Sequence, residues 1–225
     1  SLGKVWAIGA DQYGELGNGA TANSFSKPVS VQFPLGVTIK ALPTPMPYDT
    51  GLAIDSRGNA WGWGVNNGGE LCLGAATEQM TPVELPLHGV TLAAGAGHHA
   101  VFDAGGTVYS CGDNSTEALG SGNQKNAMSP VPVIGLPSTT GVTTLTSSYG
   151  SAGALLADGS YWNWGLNNLG QLGVGTTKNS AVAEKVTLAA PVTQVFQGGS
   201  STTNGQTLAE LSGGEIVGWG ADQYG

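Results

Sequence analysis

Large side chains alternate with small ones in five short runs, each closed by a glycine: Trp6 and Ile8, Trp61 and Trp63, Tyr109 and Cys111, Trp162 and Trp164, and Val217 and Trp219. A period of two puts both large residues of a run on one face of a β-strand. A tight turn precedes four of the runs: Asp55-Ser56-Arg57-Gly58, Asp103-Ala104-Gly105-Gly106, Ala157-Asp158-Gly159 and Ser212-Gly213-Gly214. Their glycines accept the positive φ that hairpin turns demand. An apolar stretch such as Leu52-Ala53-Ile54 or Ala154-Leu155-Leu156 comes before each turn, so the pattern predicts antiparallel hairpins. No stretch has helical periodicity, and 38 glycines among 225 residues disfavour long helices.

The hairpins recur at a fixed step. Gly9-Ala10-Asp11-Gln12-Tyr13-Gly14 returns unchanged at 220–225, and looser copies begin at Gly64, Gly112 and Gly165, a period of roughly 50 residues. Val37-Thr38, Val90-Thr91, Val142-Thr143 and Val192-Thr193 keep the same step, dividing the chain into units 37–89, 90–141 and 142–191 between partial units 1–36 and 192–225. Further strands begin near Pro28, Pro82 and Pro130. Proline lacks an amide donor, so these strands belong at sheet edges, which gives three or four strands per unit with the Pro-led one at the outer rim. Such a period points to propeller blades or solenoid turns rather than to an enzyme with a single site.

The succession of Val-Thr, apolar strand, Gly turn, aromatic strand ending in Trp-Gly, and then Asn or Asp, Gly, Leu and Gly resembles the regulator of chromosome condensation (RCC1) repeat. It is most specific in 63–71 and 164–175, and Gly95-Ala96-Gly97-His98 is similar to the family's Gly-x-x-His segment. The resemblance implies an all-β propeller, commonly of seven blades. The chain departs from the repeat at Ile8 and Cys111, which stand where Trp is expected, and at Cys72-Leu73, which reads as an insertion. About four blades are present and both ends carry the same aromatic strand, so part of a larger propeller is expected, with a closed four-bladed ring as the alternative. An open fragment leaves unpaired edges and apolar faces that favour self-association or a larger assembly.

Within that scaffold Trp6, Trp61, Trp63, Trp162, Trp164 and Trp219 are expected to pack between blades rather than to form an aromatic ligand cage, because repeats bury apolar faces on one another. Cys111 occupies a column where a small apolar residue suffices, which favours free thiols over a Cys72–Cys111 bridge. With 7 Lys plus Arg against 15 Asp plus Glu, the net charge of −8 repels phosphate backbones and argues against nucleic-acid binding. Only 10% of residues are charged, a polar but neutral surface that favours an extracellular or cell-surface location over the cytoplasm. No run is long enough for a membrane helix, so no membrane insertion is expected. Asn114-Ser115-Thr116 forms a glycosylation sequon whose use is left open.

Catalytic chemistry finds little footing. His98 and His99 are adjacent on a strand and point to opposite faces, so they do not make a metal clamp, and no Ser, His and acid grouping or phosphate-binding loop recurs. The expectation is a chain without catalytic residues, cofactor or metal that presents loops to a protein partner. Exposed amides and aromatics anchor interfaces well, which selects Gln12, Tyr13, Asn67 and Tyr224 as contact residues. A structural subunit of an extracellular or multi-subunit assembly and a guanine-nucleotide exchange factor for a small GTPase are the alternatives.

Overall fold

A computed structural model of the chain describes residues 3–138 and 141–222. Three complete four-stranded antiparallel sheets follow one another: β3 (Ile39–Ala41), β4 (Thr50–Asp55), β5 (Ala60–Gly64) and β6 (Gln79–Glu84); β7 (Val90–Ala96), β8 (His99–Ala104), β9 (Thr107–Gly112) and β10 (Ala127–Pro132); and β11 (Val142–Ser147), β12 (Ser151–Leu156), β13 (Tyr161–Gly165) and β14 (Ser180–Lys185). A two-stranded sheet, β1 (Trp6–Asp11) and β2 (Ala22–Ser30), precedes them, and a three-stranded one, β15 (Val192–Gly198), β16 (Gln206–Leu211) and β17 (Ile216–Gly220), follows. Within each sheet the strands lie in chain order. These are propeller blades, with the Pro-containing β2, β6 and β10 on sheet edges, where a missing amide donor breaks no ladder bond.

The turn after each aromatic strand is built the same way four times. The side-chain oxygen of Asp11, Asn66, Asn114 or Asn167 accepts the amide of the leucine five residues on, at 2.9–3.0 Å. These four polar side chains are fully buried, and the bond satisfies an amide that folding takes from water. The sequon asparagine is therefore enclosed: the Asn114 side-chain amide also donates to the carbonyls of Asn123 and Lys125, at 2.7 and 3.2 Å.

That turn carries the joint between blades. In three of them a left-handed glycine packs against the pyrrole ring of a tryptophan of the next blade, Gly17 on Trp63, Gly120 on Trp164 and Gly173 on Trp219, where a Cβ would come within 3.0 Å of the ring. Each indole N–H donates to the carbonyl two residues before its glycine, that of Glu15, Ala118 or Gln171, at 2.8–3.0 Å. The fourth joint differs on both sides at once. Cys72 holds the glycine position, with the same left-handed backbone at φ 55°, and Cys111 holds the tryptophan position. The two form a disulfide with Cα atoms 5.4 Å apart, which overturns the expectation of free thiols. Cys72 is thus a replacement within Glu-Leu-Gly rather than an insertion, and a covalent bond stands where the other joints use a tryptophan packed on glycine and its indole hydrogen bond.

Trp61, Trp63 and Trp164 are buried, and Trp162 and Trp219 are half-buried. Trp6 departs from the expected buried column, being 61% exposed, as is Ile8 at 57%. Among the described residues no blade covers this face of their sheet. The last sheet exposes Phe196, Leu208 and Ile216 for the complementary reason: Leu208 pairs with Gly218 as Leu52 pairs with Gly62, yet Leu52 is buried against the following blade. The two end sheets do not cover one another, so the described residues form an open arc and not a closed four-bladed ring.

Candidate functional site

Antiparallel strand order brings two sets of loops to one face. In every complete blade the link from the first to the second strand and the link from the third to the fourth emerge at the same end and are tied by a backbone bond of 2.8 Å: Val65 N–H to Asp49 O, Asp113 N–H to His98 O and Leu166 N–H to Gly150 O. Ala221 N–H to Gly205 O makes the same bond in the three-stranded last sheet. Gln12, Tyr13 and Asn67 lie on this face and are exposed. Tyr13 keeps its local shape through its amide, which donates to the Glu15 carboxylate at 2.7 Å. Tyr224 lies outside the described residues.

The repeat pattern missed what fills the middle of the face. The links at 97–98 and 148–150 are short, whereas those at 42–49 and 199–205 are long, and the two long ones meet. The Tyr48 hydroxyl donates to the Ser200 carbonyl at 2.8 Å, and the Tyr149 amide donates to the Gly199 carbonyl at 3.1 Å. The Tyr48 ring meets the edge of His98 and a tilted Tyr149, both at centroid distances of 6.2 Å, which are favourable aromatic geometries. His98 Nδ1 in turn lies 3.1 Å from the buried Glu70 carboxylate, whose other oxygen accepts the Gly68 amide at 2.9 Å. The available signal was the length of the two links and the proline run Pro43-Thr44-Pro45-Met46-Pro47, neither of which the repeat pattern predicts.

Beside this cluster lies a cavity of about 510 Å³, lined by Tyr48, Ser147, Ser148, Gln197, Asn204 and Gln206 among others. Ser147 is tied beneath it to His99, with Oγ 3.0 Å from Nε2. Burial pushes the His99 imidazole down to about 4 against partial opposition from the Asp113 charge, so the ring is neutral and shares a hydrogen bond with the serine hydroxyl. Contrary to expectation, His98 lies in the turn before β8 rather than on the strand and is exposed, whereas His99 opens β8 and is buried. Among the described residues no group of three or more His, Cys, Asp or Glu side chains is placed to hold a metal ion.

The Regulator of chromosome condensation (RCC1) repeat matches residues 3–42, 105–155 and 158–203. The chain belongs to the RCC1 repeat family. It is 29% identical to the ultraviolet-B receptor UVR8 of Arabidopsis thaliana, over 77% of this chain and 39% of the receptor. It is also 29% identical to the human E3 ubiquitin-protein ligase HERC2, over 82% of this chain but only 4% of that much longer protein. The solved structures agree on the fold: Prp20p of Saccharomyces cerevisiae superposes with a TM-score of 0.81 at 17% identity, over 97% of this chain and 54% of Prp20p. Human WBSCR16 superposes with a TM-score of 0.76 at 25% identity, over 88% of this chain and 52% of that one. The chain therefore spans about half of an RCC1 propeller and less than half of either curated relative.

Proposed function

We propose that this RCC1 propeller region is a non-catalytic module that recognises a protein partner through the face carrying Gln12, Tyr13 and Asn67. The carrying observation is the presence there of exposed tyrosines and amides on links held between paired strands, with Tyr13 at one edge and Tyr48, beside the half-buried Tyr149, at the centre. Tyrosine supplies large contact area with few rotamers to freeze, and amides add directional bonds. Propellers of this fold serve protein recognition in relatives: yeast RCC1 (Prp20) has been crystallised bound to Kap60, and Prp20p has binding properties toward Gsp1p and histones. The net charge of −8 speaks against carrying nucleic-acid binding over to this chain.

The location that fits best is an oxidising compartment, outside the cell or at its surface. The buried disulfide supports it, because thiols in reducing compartments stay reduced. The low proportion of charged residues agrees. Co-purification from the source tissue or culture, followed by cross-linking mass spectrometry, tests the reading. Cross-links are expected between the partner and the segments around Tyr13, Tyr48 and Asn67. Cross-links confined to the opposite face, around Arg57, Gly105 and Asp158, would sink it.

A further inference from the structure

The cavity between the two long links has a chemistry unlike the rest of the face. Its lining contains no Asp, Glu, Lys, Arg or His; it combines serine hydroxyls and the side-chain amides of Gln197, Asn204 and Gln206 with backbone, the Tyr48 ring and the apolar side chains of Pro45, Met46 and Ala96. It is also built rather than incidental, since Tyr48 reaches across to Ser200 from a link 152 residues away, and Asn204 Oδ1 folds its own link by accepting the amides of Ser200 and Ser201 at 2.9 Å. Gln197 is held in place by donating to Ser151 Oγ at 3.0 Å and Asn163 Oδ1 at 3.1 Å. Asn163 Oδ1 only accepts, so the amide is correctly oriented and its own oxygen is the atom left over. That oxygen, Gln197 Oε1, is enclosed by the protein and has no hydrogen-bond partner among the described residues.

We propose that this cavity binds a neutral oligosaccharide. A sugar hydroxyl both donates and accepts, which matches the amides and hydroxyls of the lining, and the C–H faces of a sugar ring suit Pro45, Met46 and Ala96 between them. The weakly positive C–H face of a pyranose suits an aromatic ring, and Tyr48 stands at the rim, 38% exposed. Charged ligands would be desolvated with no counter-charge to meet them, and a purely apolar ligand would strand the polar lining. The volume of about 510 Å³ lies within the range of small-ligand sites and admits two or three sugar rings.

The test is titration of the intact protein with cellohexaose, xylohexaose, maltohexaose and chitohexaose in turn, observed by NMR of backbone and side-chain amides. At least one is expected to shift the Gln197 and Asn204 side-chain amides with Kd on the order of 0.01–1 mM, a strength ordinary for few-contact sites. Because the ligand is uncharged, the affinity is expected to hold when salt rises from about 0.05 M to about 0.5 M. Tyr48→Ala should weaken binding at least about tenfold, while Tyr48→Phe, which keeps the ring and loses only the bond to Ser200, should stay within about threefold. A folded Tyr48→Ala protein that binds as the wild type does would overturn the site. So would shifts confined to other surfaces, or no shift with any of the four sugars at about 10 mM, ten times the weakest expected Kd.

Discussion

Trp6 and Trp61 stand at the same point of the repeat, yet one is 61% exposed and the other 5%. Alternation fixes which face of the strand a side chain takes; a neighbouring blade decides whether that face is covered. Trp164→Ala should destabilise the fold by about 3–5 kcal/mol, because it empties a fully buried site and strands the Ala118 carbonyl. Trp6→Ala should cost under about 1 kcal/mol, as exposed substitutions usually do. Denaturant midpoints of the two variants check the contrast. His99 adds a pH dependence whose sign follows from its depressed pKa. The unfolded ring, titrating near the ordinary value of 6.5, binds a proton that the folded ring refuses until about pH 4. Stability from this group is therefore complete above pH 6.5 and falls by about 3 kcal/mol as pH drops toward 4. A His99→Gln variant should flatten that part of the urea-stability profile, and an unchanged slope would count against it.

At the scale of the strand and turn, the hairpins, the edge position of the Pro-led strands and the Asn or Asp of each turn were legible because backbone geometry imposes them on every copy, whereas the burial of those Asn and Asp side chains was not foreseen. The joint between blades was not. Reading Cys72-Leu73 as an insertion hid the fact that Cys72 aligns with Gly17, Gly120 and Gly173, and only that alignment pairs it with the cysteine in the tryptophan column. Likewise the long links 42–49 and 199–205 repeat nothing, so a period-based reading sees them as noise although they meet in space. The joint itself makes a testable exchange. Reduction of the disulfide, which closes a loop with a sequence separation of 39, should lower stability by about 3–4 kcal/mol and the midpoint by roughly 10 °C. Cys111→Trp alone should be worse than reduction, since the Cys72 side chain occupies the place where the ring must lie. Combined with Cys72→Gly it rebuilds the tryptophan-on-glycine joint of the other three blades, and thermal melts should show recovery of most of the loss. Equal melts for the single and double variants would show that the two positions are not coupled.

The arc as a whole ends in two apolar faces that cannot cover each other. Trp6 and Ile8 occupy on the first sheet the columns that Trp61 and Trp63 bury against the blade before them. Phe196, Leu208 and Ile216 occupy on the last sheet positions that inner blades bury against the blade after them. These are opposite halves of one kind of joint, so a second copy presents to each face the surface its inner blades already accept. Contacts of this kind join head to tail and are not self-complementary, which makes larger species reachable as well as dimers. The 225-residue chain should accordingly associate as its concentration rises. The association should weaken when either face is made polar, as in Ile8→Lys or Leu208→Glu, and return in part when those two variants are mixed, since opposite charges then meet across the joint. Sedimentation velocity over about a hundredfold range of concentration reads this directly, the range being wide enough to span some 2.7 kcal/mol of association free energy. A compact monomer throughout that range, or no rescue on mixing, would mean that burial of these five side chains is too small to offset the entropy lost when two arcs join.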